Sequence, residues 1–180
     1  MRCVLIALAV AVLAGPAWAQ NADPFMSAPS RPHPVAPRPA APVAPPAPPA
    51  PQPGTPEAFL QQGNAALRRQ DYAAAEAAAR EILKVRKSPF AVDAHFLLAE
   101  SFVGRRDYSH AADAYDDAYD DARTGPRAQE ALLGRAKAFV GYDRNWRACS
   151  TLDTLKKEFP APRPDLVAQI SAVRQQAACH

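Results

Sequence analysis

The chain has 180 residues, 20 of them proline, and a formal net charge of +3. So small a charge provides no sustained basic field, and the sequence therefore does not indicate binding to nucleic acid. The four histidines and three cysteines show no spacing typical of a metal site or a catalytic nucleophile. We therefore expect no metal, no cofactor and no enzymatic activity.

Residues 1–19 have the pattern of a secretory signal peptide. A basic residue, Arg2, precedes an apolar run, and small residues then lead to a cleavage site between Ala19 and Gln20. The apolar run is too short to span a bilayer, and no later segment has the roughly 20 apolar residues of a transmembrane helix. We expect an exported protein without a transmembrane segment.

Residues 20–54 form a segment rich in proline and alanine. This composition cannot form a packed core and favours extended polyproline conformations. The segment is predicted to be a disordered, semi-rigid linker that holds the following domain at a distance. The alternative is a proline-rich ligand for an aromatic-lined groove of another protein.

A helical domain is predicted for residues 55–180. Thr55 can cap its first helix, with Pro56 in the first turn. Apolar residues then recur at helical spacing in six segments, and prolines end each pair of segments. The paired segments occupy about residues 55–89, 90–125 and 126–160, followed by a last helix at 165–179 that Asp165 can cap.

Small residues recur in pairs across the two segments of each hairpin, and an aromatic residue follows the turn between the segments. The small pairs are Gly63 and Ala75, Ala99 and Ala111, and Ala136 and Ala148, and the turn aromatics are Tyr72, Tyr108 and Trp146. This pattern resembles the tetratricopeptide repeat (TPR), in which the small residues of the two helices pack against each other. The resemblance implies an all-α fold, a right-handed TPR solenoid of three helix hairpins with a C-terminal capping helix.

Two cysteines remain after removal of the signal peptide. Cys149 lies near the start of the sixth helical segment and Cys179 lies at the end of the last helix. These ends meet if the two helices are antiparallel, so we predict a disulfide, with two free thiols as the alternative. Closing a loop of this length should stabilise the fold by roughly 3 to 4 kcal/mol.

A narrower resemblance covers about residues 91–179. The run from Arg147 through Ala148, Cys149, Ser150 and Thr151 to Leu152 is similar to the last repeat of the CpoB (YbgF) family. This resemblance implies a periplasmic protein that binds TolA and a bifunctional penicillin-binding protein. Such a protein coordinates outer-membrane constriction by the Tol-Pal system with septal peptidoglycan synthesis during cell division.

The N-terminal region departs from the CpoB family pattern. That family typically carries a trimerising coiled coil there, whereas this chain has the proline-rich segment and no apolar heptads. The mature protein is therefore expected to be a monomer.

The first helices of the three hairpins are expected to line a concave groove that binds a partner protein. Positions that face such a groove are Leu60, Asn64, Leu67, Arg68, Phe96, Glu100, Val103, Leu133, Lys137 and Val140. A mixture of apolar and polar residues suits a helix or an extended peptide. For Leu60, Phe96 and Leu133, ordinary packing between repeats is the alternative, whereas the polar residues are expected to be accessible and replaceable at little cost in stability.

The fourth helical segment carries a cluster of acidic residues. They are Asp113, Asp116, Asp117, Asp120 and Asp121, with Tyr115 and Tyr119 between them. A straight helix cannot wrap these ligands around a cation, so a solvated acidic face is favoured over a metal site. The remaining alternative is a docking patch for a basic partner.

The sequence thus predicts an exported TPR adaptor of the CpoB type that acts by binding. Two alternatives remain open from the sequence. One is a general scaffold of the cell envelope, and the other is an accessory subunit of a peptidoglycan enzyme, neither of them linked to the Tol-Pal system.

Overall fold

A computed structural model describes residues 52–180. In that part of the chain the regular structure consists of seven helices: α1 (Pro56–Arg68), α2 (Tyr72–Leu83), α3 (Ala91–Gly104), α4 (Tyr108–Asp121), α5 (Ala128–Gly141), α6 (Asn145–Glu158) and α7 (Pro164–Gln176). The predicted signal peptide, its cleavage site between Ala19 and Gln20, and nearly all of the predicted linker lie outside the described residues. Among the residues described, no helix is both long and apolar enough to cross a bilayer.

The helices pack as three consecutive hairpins, α1–α2, α3–α4 and α5–α6. Each hairpin contacts the next through its second helix, and α7 packs on both α5 and α6. The predicted all-α helical-hairpin solenoid is confirmed, and α7 occupies the capping position. Hereafter α1, α3 and α5 are the A helices, and α2, α4 and α6 are the B helices.

Local signals explain where several of the helices begin. The hydroxyl of Thr55 accepts a hydrogen bond from the backbone N–H of Ala58 at 3.2 Å, which confirms the predicted cap of α1. Asp71 caps α2 by accepting from the N–H of Ala74 at 3.1 Å. Asp107 occupies the same position at the start of α4, whereas α6 has Arg144 there and no side-chain cap.

The turn between the helices of each hairpin has the same backbone conformation three times. Gln70, Arg106 and Asp143 have φ angles of 60°, 60° and 63°, in the left-handed region. In the first turn the N–H of Asp71 donates to the carbonyl of Ala66, and the other two turns have the equivalent bond. This is a Schellman ending, which satisfies the last carbonyls of the A helix and reverses the chain within a few residues.

The last helix begins differently from the prediction. Pro164 is its first residue and Arg163 stands at the N-cap position, which has no side-chain cap, so the prediction that Asp165 caps the helix is wrong. Proline needs no N–H partner at this position and its φ angle already suits a helix. Asp165 lies in the first turn and forms an ion pair with Arg163 at 2.6 Å.

Small residues let the helices approach closely. Those at the predicted paired positions, Gly63, Ala75, Ala99, Ala111, Ala136 and Ala148, are all buried. A side chain added at Gly63 would overlap Leu97 of α3 and would come within 3.2 Å of the methyl group of Ala78 on α2. Gly63 is therefore needed for contact between successive hairpins as well as within its own hairpin.

Two of the turn aromatics, Tyr72 and Tyr108, make equivalent packing contacts in successive hairpins. Tyr72 and Tyr108 are the first residues of α2 and α4, and their rings pack on Gly104 and Gly141, at the ends of the next A helices. The assignment of Trp146 to this set is wrong. Asn145 is the first residue of α6, and Trp146, one position later, is 69% exposed.

Replacing Gly104 by alanine is expected to destabilise the domain by about 1 to 3 kcal/mol, because the new methyl group would overlap the ring of Tyr72. In an ordinary helix the same change is stabilising by roughly 0.5 to 1 kcal/mol. Urea unfolding measures the difference. Combining Gly104→Ala with Tyr72→Ala should make the glycine replacement harmless, and a loss unchanged in that background would contradict the proposed overlap.

Candidate functional site

The A helices and α7 border an elongated groove, which we call the concave groove. It contains a cavity of about 480 Å³ between α3, α5 and α7 and a smaller one of about 200 Å³ between α1 and α3. Phe96, Glu100 and Arg127 line both cavities. The two cavities therefore form one continuous surface along the array.

Most of the predicted groove residues line this surface. They are Leu60, Asn64, Leu67, Phe96, Glu100, Val103, Leu133 and Lys137. Arg68 and Val140 are not among the lining residues. Arg68 is exposed at the end of α1, and Val140 is partly buried against the core.

The lining residues differ in how much of each is accessible. Phe96 and Leu133 are only 7% and 2% exposed, so they are core residues whose edges form the floor of the groove. Leu60 is partly buried against the core of the first hairpin. Asn64, Glu100 and Lys137 are exposed and provide its polar surface.

Glu100 also has a structural partner. The buried Tyr115 donates its hydroxyl hydrogen to the carboxylate of Glu100 at 2.6 Å. Burial raises the pKa of Tyr115, and the Glu100 charge raises it further. An alanine at position 100 would remove this acceptor, so we correct the expectation that Glu100 can be truncated without cost.

Arg127 is a groove residue that the sequence pattern did not reveal. Its guanidinium carbon lies 3.6 Å from the centre of the Phe96 ring. The same group forms ion pairs with Asp93 of α3 and, at 3.2 Å, with Glu130 of α5. Arg127 thus covers the ring of Phe96 between two hairpins. This role depends on how the hairpins pack and cannot be predicted from the position of Arg127 just before α5.

Arg163 holds the capping helix against α5 at the end of the groove. It pairs with Glu130 at 2.5 Å and with Asp165 at 2.6 Å, and its backbone N–H donates to the side chain of Gln129 at 2.9 Å. Farther along α7, Gln169 accepts a hydrogen bond from Lys137 at 2.7 Å. These contacts close the groove on the C-terminal side.

The ion pair with Arg163 affects the titration of Asp165. The hydrogen bonds from the guanidinium hold the pKa of the Asp165 carboxyl below its ordinary value. A carboxyl with a lowered pKa contributes stability above its ordinary pKa, and this contribution is lost as the pH falls through the lowered value. Arg163→Gln should return the pKa of Asp165 toward about 4. NMR titration of its carboxyl carbon checks this, and an unchanged pKa in the variant would contradict the assignment.

The charges that line the concave groove are mostly neutralised within the chain. Arg127 balances Asp93 and Glu130, and Arg163 balances Asp165. Glu100 and Lys137 also line the groove. In residues 52–180 neither of them has an ion-pair partner of its own. They are therefore the charges that remain available to a bound molecule.

Two of the five acidic residues of α4 form ion pairs with arginines of the chain. Asp116 pairs with Arg135 at 2.6 Å and Asp120 pairs with Arg123 at 2.8 Å. Burial raises the pKa of Asp116, and the nearby Arg135 opposes that shift. Tyr115 and Tyr119 point into the core and do not contribute to the acidic face. This arrangement is typical of a solvated, ion-paired helix face.

The three-hairpin array with a groove along its A helices defines a class of protein, the helical-hairpin solenoids that bind other proteins. Residues 60–126 match the tetratricopeptide repeat family model. The match spans the larger part of α1 and all of α2, α3 and α4, and the third hairpin follows the same packing. This match covers 67 of the 180 residues and supports the predicted resemblance to TPR proteins. No curated protein gives a significant match to the chain.

Proposed function

We propose that the chain is an exported, periplasmic TPR adaptor that acts by binding and not by catalysis. Its concave groove holds a segment of a partner protein against the A helices. The observation that carries this proposal is the continuous surface in which Glu100 and Lys137 are exposed above the buried Phe96 and Leu133. An apolar floor with a few unpaired polar groups suits a helix or an extended peptide.

We further propose a CpoB-like role, in which the partners are TolA and a bifunctional penicillin-binding protein. The protein would coordinate constriction of the outer membrane by the Tol-Pal system with septal peptidoglycan synthesis. The similarity of residues 147–152 to the last CpoB repeat supports this proposal. The Cys149–Cys179 disulfide is consistent with it, because disulfides persist in oxidising compartments outside the cytoplasm.

A second candidate role is favoured by the proline-rich segment, which stands where the CpoB family has a coiled coil. In this role the chain is a general envelope scaffold or an accessory subunit of a peptidoglycan enzyme, unconnected with TolA. The groove would then receive a segment of that enzyme.

Isothermal titration of the mature chain with the soluble periplasmic part of TolA separates these roles. The CpoB-like role predicts one-to-one binding with a Kd in the micromolar range, about −8 kcal/mol. Absence of binding by TolA, together with binding of a bifunctional penicillin-binding protein that changes its synthase activity, would support the accessory-subunit role instead.

The mature protein is expected to be a monomer, because it has no apolar heptad seam to replace the family's coiled coil. Light scattering at micromolar concentration measures the molar mass directly. A stable trimer would show that another part of the chain provides the association.

A further inference from the structure

A single large aromatic side chain, Trp146, is exposed on the B-helix side of the domain. It is 69% exposed, and neither of the first two hairpins places an aromatic residue at the corresponding position, which is Ala73 in α2 and Ser109 in α4. Because Asn145 occupies the turn position, Trp146 is rotated away from the contacts that Tyr72 and Tyr108 make. Repeat packing therefore does not account for Trp146.

Trp146 forms one wall of a cavity of about 390 Å³ in the gap between α4 and α6, which we call the outer cavity. Its charged lining residues are Arg123, Arg135, Arg147 and Glu158. The floor is formed by Leu132, Arg135 and Phe139 of α5, and none of these lines the concave groove. The outer cavity is thus a separate surface, on a different face of α5.

The arginines of the outer cavity are arranged around aromatic rings. Arg147 lies 5.2 Å from the centre of the Trp146 ring and 5.7 Å from that of Phe139. Arg135 lies 5.4 Å from the centre of the Phe139 ring. Stacking of this kind holds guanidinium groups in place, which reduces the conformational entropy lost when they bind a ligand.

One guanidinium of the cavity has no ion-pair partner within the described part of the chain. Arg123 and Arg135 are paired with aspartates of α4, whereas Arg147 makes no ion pair within residues 52–180. The single carboxylate of the lining, Glu158, accepts a hydrogen bond from the hydroxyl of Tyr119. Beneath the surface, the Nε atom of Arg135 is enclosed without a hydrogen-bond acceptor in the described part of the chain.

The preceding hairpin shows that this arrangement is not required by the repeat. The residues that correspond to Arg135, Trp146 and Arg147 are Leu98, Ser109 and His110. His110 packs on Phe102, with ring centres 5.4 Å apart, as Arg147 does on Phe139. In the third hairpin the phenylalanine ring is therefore covered by the cationic Arg147, where the second hairpin has His110. Trp146 lies beside this arginine.

We propose that the outer cavity is a second docking site, for an acidic peptide segment that carries an apolar side chain next to a carboxylate. The carboxylate binds Arg147, and the apolar side chain packs on Trp146. Charge complementarity selects this occupant, because Arg147, beside Trp146, has no ion-pair partner within residues 52–180, and the carboxylate of the lining, Glu158, lies eleven positions farther along α6, about 16 Å away. A central Trp and Arg pair is also the composition most typical of energetically dominant contacts in protein interfaces.

The test uses Trp146 as its own reporter. Of the two tryptophans of the sequence, Trp18 lies in the predicted signal peptide, so in a chain that begins at Gln20 the emission comes from Trp146 alone. The probe is a short synthetic peptide in which glutamate alternates with leucine. Binding should move the emission to shorter wavelength as the indole leaves water, whereas peptides with glutamine or lysine in place of glutamate should bind at least about tenfold more weakly.

Matched variants test the position of the site. Arg147→Glu should reduce the affinity for the glutamate peptide by tenfold or more, because it reverses the unpaired charge. Arg86→Glu, an exposed arginine between α2 and α3, makes the same change in net charge and should leave the affinity within about twofold. Trp146→Ala should weaken binding of the peptide, whereas Val167→Ala, which also truncates an exposed apolar side chain, should not. Because Trp146→Ala removes the fluorescent reporter, this affinity is measured by the fluorescence anisotropy of a labelled peptide.

Several results would overturn the proposal. Equal losses in Arg147→Glu and Arg86→Glu would show an effect of net charge alone. Equal loss in Lys137→Gln, which removes the unpaired positive charge of the concave groove, would place the peptide in that groove. A shift of the Trp146 emission that depends on protein concentration without peptide would make a second copy of the chain the occupant.

Discussion

Removing the disulfide between Cys149 and Cys179 is expected to lower the free energy of unfolding by about 3.5 kcal/mol. The bond joins residues that are separated by 30 positions, and their Cα atoms are 5.5 Å apart. It ties the N-terminal part of α6 to the segment just after α7, which is the pairing that the sequence predicts. Most of the effect arises in the unfolded chain, which gains conformational freedom when the loop is opened.

Urea unfolding of the Cys149→Ser and Cys179→Ser double variant measures this effect. The oxidised natural protein should unfold at clearly higher denaturant concentration than the double variant, and reductant should bring the two together. A double variant as stable as the oxidised protein would contradict the expected contribution. So would a native exported protein in which both thiols react with an alkylating reagent before reduction.

The second large effect is expected in the concave groove. Changing Glu100 to Gln and Lys137 to Ala together should weaken binding of the partner by tenfold or more, about 1.4 kcal/mol. These two residues carry the lining charges that no ion pair of the described chain neutralises. Glutamine is chosen at position 100 because its side-chain oxygen can still accept the hydrogen bond from the hydroxyl of Tyr115. The variant therefore removes the charge without the loss of stability that a lost hydrogen bond would cause.

A matched double variant on the outer side of the array controls for the change in charge. Glu81 of α2 and Lys84, just after that helix, form an exposed ion pair at 2.6 Å, so Glu81→Gln with Lys84→Ala makes the same substitutions away from the groove. It should bind the partner as the natural protein does. Undiminished binding by the groove variant, with circular dichroism showing an intact helical domain, would exclude Glu100 and Lys137 from the contact.

The repeat period predicted most of the fold. Small residues that recur about every 36 residues must lie where helices approach, and this placed the hairpins and the capping helix. The same period identified most of the A-helix positions that line the groove, although Arg68 and Val140 are not among them. It left open whether Phe96 is exposed in the groove or packs between repeats, because burial depends on how far the next hairpin covers a position, and the structure shows that Phe96 is buried.

The errors have local causes. Trp146 is the aromatic nearest to the expected turn position, but it lies one residue beyond it, and one residue corresponds to a rotation of about 100° on a helix. Asp165 is a common capping residue, but the preceding proline already begins α7. The roles of Arg127 and Arg163 come from partners more than thirty positions away in sequence, among them Asp93 and Glu130. Spacing within a helix contains no information about such contacts.

The central claim is that the partner binds along the A helices. Chemical-shift mapping of the isotope-labelled mature chain with the soluble periplasmic part of TolA tests it most directly. We expect the largest changes at groove residues of α1, α3 and α5, including Asn64, Glu100 and Lys137, with smaller changes on α7. Changes confined to α4 and α6, or to the segment before residue 52, would contradict the assignment of the concave groove as the binding site.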